Sequence, residues 1–183
     1  TRLTYKTKLS GDSERTGLTE AAVTGICEIG GVQAQLIVLD FGFMGGSMGC
    51  VVGEKVALAL ERSYKKKIAC VAIITSGGNR FQEGVLSLMQ MAKTVTVANQ
   101  LKLKGIPFIS ILSNPSTGHT FASFPNLSDI ILGEPGAIVG LQSLQVVRKE
   151  SLDTLPDSAN TSEFHLKHGM IDGVVERPKL KET

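Results

Sequence analysis

Apolar and polar positions change period several times along the chain. The runs AAVTGICEI (21–29) and VQAQLIVLDF (32–41) read as β-strands, and Gly30-Gly31 between them predicts a hairpin. FGFMGGSMG then interrupts, its glycines permitting tight turns before a helix near residues 47–66 that places Val52, Val56, Ala59 and Leu60 on one face. IACVAIITS (68–76) is continuously apolar, as in a strand buried on both faces. After Gly77-Gly78 a helical pattern runs to about Lys104, with Phe81, Val85, Leu88, Ala92 and Val95 on its expected buried face. Gly105 caps that helix and Pro107 stops it. FISILSN is a third buried strand, and DIILGE and AIVGL are further short ones. TSEFHLKHG reads as a helix with Thr161 or Ser162 as N-cap and Gly169 as C-cap, before a last strand in IDGVVE. Residues 1–20 show no sustained period and read as an extended or loosely packed arm, leaving 21–183 as one domain. Strand pairs alternating with helices predict an α/β protein of ββα units, in which ligands gather outside the carboxyl ends of the strands.

Composition narrows the classes. A chain of 183 residues, 42% hydrophobic and 20% charged, is long enough for one domain with a real core. Its net charge of +2 makes no case for nucleic acid. Lys65-Lys66-Lys67 reads as a solvated helix C-terminus, with contact to a phosphorylated ligand as the alternative. Cys27, Cys50 and Cys70 form no C-x-x-C pair, which argues against a zinc ribbon or a disulfide framework and for buried small hydrophobes. No apolar stretch reaches membrane-spanning length and no signal peptide opens the chain, so a cytoplasmic protein with no membrane contact is expected. The missing initiator Met fits a fragment or a processed chain.

Two turns carry the candidate chemistry. SGGNRFQEG (76–84) and NPSTGHT (114–120) each follow a buried strand, and each can aim a backbone N–H at one point. Two converging N–H groups form an oxyanion hole, which stabilises negative charge developing on a carbonyl oxygen. G-x-x-x-x-G-K-[ST] and H-E-x-x-H patterns are both missing. His165 and His168 are spaced to share a metal, but without a carboxylate or cysteine cluster they read as surface histidines. Asp40 reads as structural, and Arg80 with Glu83 as a possible ion pair.

FGFMGGSMGCVVGEK, SGGNRFQEGVLSLMQMAK, GIPFISIL, ASF and SEFHLKHGMIDGVVERP resemble, in order and over nearly the whole chain, the β subunit of acetyl-CoA carboxylase carboxyltransferase. The resemblance implies a crotonase-like (ClpP/crotonase) fold and a cytoplasmic or plastid-stromal location. It also implies pairing with a homologous α subunit, with the active site between the two. There a carboxyl group would pass from biotin, delivered as carboxybiotin on a biotin carrier protein, to acetyl-CoA, giving malonyl-CoA. By the same resemblance Gly77, Gly78 and Asn79 match one set of oxyanion donors, and Gly118 and His119 the other. Gly45, Gly46, Ser76 and Arg80 are the candidate cofactor contacts, and no metal is expected.

Three departures stand out. The family's N-terminal zinc ribbon is missing. Its Gly-Gly pair at the second turn reads Gly118-His119. Its Phe-Ala-Gly-Pro-Arg segment reads Leu141-Gln142-Ser143-Leu144-Gln145, without the Arg that can grip a phosphate or carboxylate bidentately. Two other readings therefore stand beside carboxyl transfer. One is a biotin-independent decarboxylase, hydratase or hydrolase acting on an acyl thioester, with His119 as acid or base. The other is a non-catalytic assembly subunit.

Overall fold

The computed structural model describes residues 4–141, 156 and 158–183, so the departure at Gln142–Gln145 lies outside the described residues. Helix α1 (Tyr5–Thr16) precedes strands β1 (Ala22–Ile29) and β2 (Val32–Leu39), helix α2 (Cys50–Lys66), strand β3 (Ala69–Ser76), helix α3 (Val85–Leu103) and strand β4 (Phe108–Thr117). Then come α4 (Gly118–Phe121), β5 (Ile130–Gly133), β6 (Val139–Gly140), α5 (Ser162–Lys167) and β7 (Gly173–Val174). One-turn 3-10 helices form at Met44–Gly46, Phe81–Glu83, Phe124–Leu127 and Arg177–Lys179.

The strands make one sheet in the order β1-β2-β3-β4-β5-β7, with β6 pairing the end of β4. The β1–β2 hairpin is antiparallel, with Ile29 opposite Val32 across Gly30-Gly31, as expected from the sequence. Every other pair is parallel. Between β3 and β4 the register shifts: Ile74 faces Leu112, but Ser76 faces Ser116, so β4 carries surplus chain just before its end.

Helices α2 and α3 pack together on the face of the sheet lined by Ile37, Leu39, Cys70, Ala72, Ile74, Phe108 and Leu112. Val52, Val56, Ala59 and Leu60 of α2 are buried there, as the periodicity predicts, and the helix ends in the lysine run with Lys67 in the left-handed region. Strand β3 departs from expectation, because its residues alternate between buried and half-buried. Its outer side chains, Val71 and Ile73, instead line an apolar trough of about 690 Å³ with Leu36, Ile109, Ile111 and Leu132. Both faces are apolar, so the period of two is invisible in composition. Of the cysteines only Cys70 is fully buried, its thiol pushed up to about 12 by burial; Cys27 and Cys50 are half-buried.

Two expectations are corrected. Most of the N-terminal arm is a helix: Thr4 Oγ1 caps it by accepting from Thr7 N–H at 3.2 Å, and Gly17 ends it at φ 72°. Only Leu9 of α1 packs, partly buried, against the core, so the helix has no apolar stripe to detect; polar ties add to that contact, Asp12 Oδ2 accepting from Met44 N–H at 2.8 Å and the Tyr5 hydroxyl donating to Glu83 at 2.5 Å.

Helix α3 exists where expected but faces the other way. Phe81 is 79% exposed, Val85 67% and Leu88 46%, Ala92 is exposed and Val95 half-buried, whereas Ser87, Gln90, Thr94, Val97, Ala98 and Leu101 are buried. The inward polar groups bond within their own helix: Ser87 Oγ to Gly84 O at 2.9 Å, Gln90 Nε2 to Leu86 O at 2.8 Å, Thr94 Oγ1 to Gln90 O at 2.9 Å. Burial therefore leaves few of them without a partner.

The Tyr5–Glu83 tie has a pH consequence. Burial pushes the Glu83 carboxyl up, but hydrogen bonds from the Tyr5 hydroxyl and Cys50 N–H, with the Arg80 charge nearby, hold it below the usual carboxylate range. A depressed carboxylate contributes stability above its unfolded pKa and loses it as pH falls through the folded one. The Tm gap between wild type and Glu83→Gln is therefore expected to be steady near neutrality and to close between about pH 5 and about pH 3.

Candidate active site

Because β3 and β4 are parallel neighbours, the turns that follow them emerge side by side at their carboxyl ends. They touch. A Cβ built on Gly118 would lie 2.8 Å from Gly78 Cα, and one on Gly78 would lie 3.2 Å from Gly118 Cα. Both glycines have positive φ, 103° at Gly78 and 71° at Gly118. Neither the contact nor the backbone conformation admits a side chain without displacement.

Side chains stitch the crossing. Thr120 Oγ1 donates to Gly78 O at 3.3 Å and lies 2.9 Å from Ser76 Oγ, which accepts from Gly78 N–H at 3.1 Å. Thr117 Oγ1 donates to Ser76 O at 3.2 Å. On the open side Asn79 Nδ2 donates to His119 Nδ1 at 2.9 Å, and His119 is exposed.

The Met44–Gly46 turn completes the site. Gly77 N–H donates to Gly45 O at 2.8 Å, Met48 N–H to Gly78 O at 2.8 Å and Arg80 N–H to Met48 O at 3.0 Å. A side chain at Gly46 would overlap the Thr75 carbonyl. A groove of about 590 Å³ borders Gly45, lined by Lys8, Arg15, Met44 and Phe81 among others.

The structure thus brings together Gly45, Gly46, Ser76, Gly77, Gly78, Asn79, Gly118 and His119. It also sorts the expected donors. The Gly77 and Gly78 N–H groups are already engaged, and the parallel β4–β6 register, with Thr117 opposite Gly140, commits the Gly118 N–H to β6, which leaves the N–H groups of Asn79 and His119 flanking the crossing.

Arg80 does not join them. It is fully buried, pairing through Nη1 and Nη2 with Glu20 at 2.6 and 2.5 Å, donating to Ser47 Oγ at 3.2 Å and Ser47 O at 2.9 Å. Glu83 stands 3.6 Å away, and the guanidinium lies 5.8 Å from the Phe43 ring centroid. The expected cofactor contact is replaced by an internal anchor for the turn, because every strong acceptor near Arg80 is inside the protein. Glu20, Ser47 and Thr120 were not singled out by sequence; a lone acid ahead of a strand carries no sign of a partner sixty residues on.

His165 is corrected too. It is half-buried rather than on the surface, donating from Nε2 to Val139 O at 2.9 Å beside the Phe121 ring. His168 donates to Phe164 O at 2.7 Å, so the two rings serve separate carbonyls. Asp40 keeps a structural role, accepting from Gly42 N–H at 2.6 Å.

Comparison with known proteins agrees with this architecture. Residues 3–178 match the family described as carboxyl transferase domain. The chain is 45% identical over 178 residues to the acetyl-coenzyme A carboxylase carboxyl transferase subunit beta of Opitutus terrae, covering 97% of this chain and 61% of that protein. It is 48% identical over 179 residues to the chloroplastic counterpart of Cyanidium caldarium, covering 98% and 67%. Among solved structures, a transcarboxylase 12S with hydrolysed methylmalonyl-coenzyme A bound superposes at a TM-score of 0.80 with 29% identity, covering 88% of this chain and 32% of that one. The fold is crotonase-like, and the chain spans about three-fifths of the Opitutus relative. With the match running almost end to end and relatives nearly half identical along it, the chain belongs to the carboxyl transferase family.

Proposed function

We propose that this chain is the β-type part of a biotin-dependent carboxyltransferase that passes a carboxyl group to an acyl-CoA, with acetyl-CoA giving malonyl-CoA. The observation that carries the reading is the Gly78–Gly118 crossing, with the backbone N–H groups of Asn79 and His119 beside it. Carboxybiotin, brought by a biotin carrier protein, supplies the activated carboxyl group. The chain's own task is electrostatic. When the carbon next to the thioester loses its proton, which the ureido nitrogen freed of its carboxyl group would take up, negative charge moves to the thioester oxygen, and the N–H groups of Asn79 and His119 are the donors we assign to it. Fixed donors of this kind lower the barrier because they need no reorganisation as the charge appears. No side-chain nucleophile is required, and holding both reactants in one place supplies much of the remaining acceleration.

The partner in this reading is a homologous α-type subunit, acting with the chain in the cytoplasm or a plastid stroma. No helix among the described residues is long and apolar enough to cross a membrane. The outward stripe of α3 lies next in sequence to the Gly77–Asn79 turn and is the surface such a subunit would meet. Leu88→Asp combined with Met89→Asp is expected to change the stability of the isolated chain by about 0.5 kcal/mol or less, as exposed positions do, while abolishing co-purification with the α-type subunit. Co-purification of the double variant would remove the stripe from the interface. The assembled complex, given carboxybiotin and acetyl-CoA, is expected to produce malonyl-CoA. Absence of turnover with any short acyl-CoA, in a complex that demonstrably assembles, would overturn the reading.

A further inference from the structure

Asn79 and His119 stand on different turns yet meet side chain to side chain at the mouth of the crossing. The direction of that bond fixes the chemistry of the imidazole. Asn79 Nδ2 carries only protons, so His119 Nδ1 must present its lone pair, and the single proton of the neutral ring then resides on Nε2. The reverse arrangement is disfavoured by its surroundings. Asn79 Oδ1 is buried with no hydrogen-bond partner, and turning the amide over would put two N–H donors in that place. Buried orphan N–H groups are rarer than under-satisfied carbonyl oxygens. His119 itself is exposed, and its ring has no second hydrogen bond among the described residues.

We propose that His119 serves this site as a neutral hydrogen-bond donor through Nε2–H, its tautomer held by Asn79, and not as a general base. A base would need a lone pair on Nε2 and hence a proton on Nδ1, facing the protons of Asn79 Nδ2. The ring adds a side-chain donor beside the backbone N–H groups of Asn79 and His119, directed at an oxygen that becomes negative. This rests on the acyl-thioester reading, and it adds the His119 side chain to the contacts with substrate.

The chain has three histidines, so the 15N spectrum of histidine-labelled protein is readily assigned by comparison with His119→Gln. The expected spectrum places the His119 proton on Nε2, shifts that resonance on addition of acetyl-CoA, and moves the proton to Nδ1 in Asn79→Asp, whose carboxylate accepts it. A proton on Nδ1 in the wild type overturns the proposal. Turnover of the assembled complex separates donor from base, since glutamine offers an N–H but cannot take a proton. His119→Gln is expected to keep kcat within about threefold, and His119→Phe to lower it about a hundredfold with KM little changed. Equal losses in the two variants, or no loss in either, overturn the donor role. If the wild-type complex shows no turnover, the carboxyl-transfer reading fails by itself. The donor assignment is then decided by the tautomer and by whether acetyl-CoA moves the Nε2 resonance.

Discussion

Gly118→Ala is expected to lower kcat of the assembled complex about a hundredfold or more, with the fold intact. Two separate costs act at this position. The first is conformational, because a residue with a Cβ is disfavoured at φ 71° by about 1–2 kcal/mol. The second is steric: the new methyl would stand 2.8 Å from Gly78 Cα, and the neighbour is backbone, which cannot swing aside as a side chain would. Relief comes only by parting the two turns, which moves the His119 N–H group away from that of Asn79. Gly30→Ala is the matching control, since Gly30 has φ 59° at the hairpin and open space around it. It carries the conformational cost without the contact. The check is stopped-time malonyl-CoA formation by both variants at matched folded fractions. Equal activity in both would show that the crossing is not where the reaction occurs.

The largest stability effect is expected at Glu20. Glu20→Gln leaves the fully buried Arg80 guanidinium without its bidentate carboxylate, a loss of about 3–5 kcal/mol for a broken buried pair. For a chain of this length that corresponds to a Tm decrease of roughly 6–20 °C. Replacing both partners by apolar residues, Glu20→Leu with Arg80→Met, is expected to recover most of the loss, because no uncompensated charge then remains inside. Thermal melts of Glu20→Leu, Arg80→Met and the double variant form the cycle that tests this. A Tm for Glu20→Gln within about 2 °C of wild type would mean that Ser47 and Glu83 alone satisfy the guanidinium. Arg80 follows Asn79 directly, so the same substitution is also expected to loosen the first turn of the site.

Much of this was legible from residue order. The hairpin at Gly30-Gly31, the buried face of α2 and the strand-to-turn layout at Gly77 and Gly118 are local patterns, each written within a dozen residues. Helix α1 was not legible, because caps and the distant partners of Asp12 and Tyr5 support it, with a single core contact at Leu9 and no apolar stripe to show. The orientation of α3 misled for the opposite reason. Its apolar stripe is real, but Ser87, Gln90 and Thr94 hydrogen-bond to their own helix and so can occupy the core, which frees the stripe for another surface. The role of Arg80 depended on Glu20, whose nearness is created only by the fold. Hydrophobic periodicity reports that a helix has two sides, and it does not report which side another subunit would claim.

The surplus chain in β4 between Leu112 and Ser116 acts as an expansion joint. Were β4 to continue in the register set by Ile74 and Leu112, Gly118 would overshoot Gly78 by two residues, about 6–7 Å of strand. The slack lets the sheet's interior and the rim that carries the two turns keep separate alignments. Repacking among Phe108, Leu112 and α3 can thus be absorbed below the rim, leaving the distance between the two turns unchanged. Tolerance of core variation is thereby built into the one strand whose end must be placed most accurately.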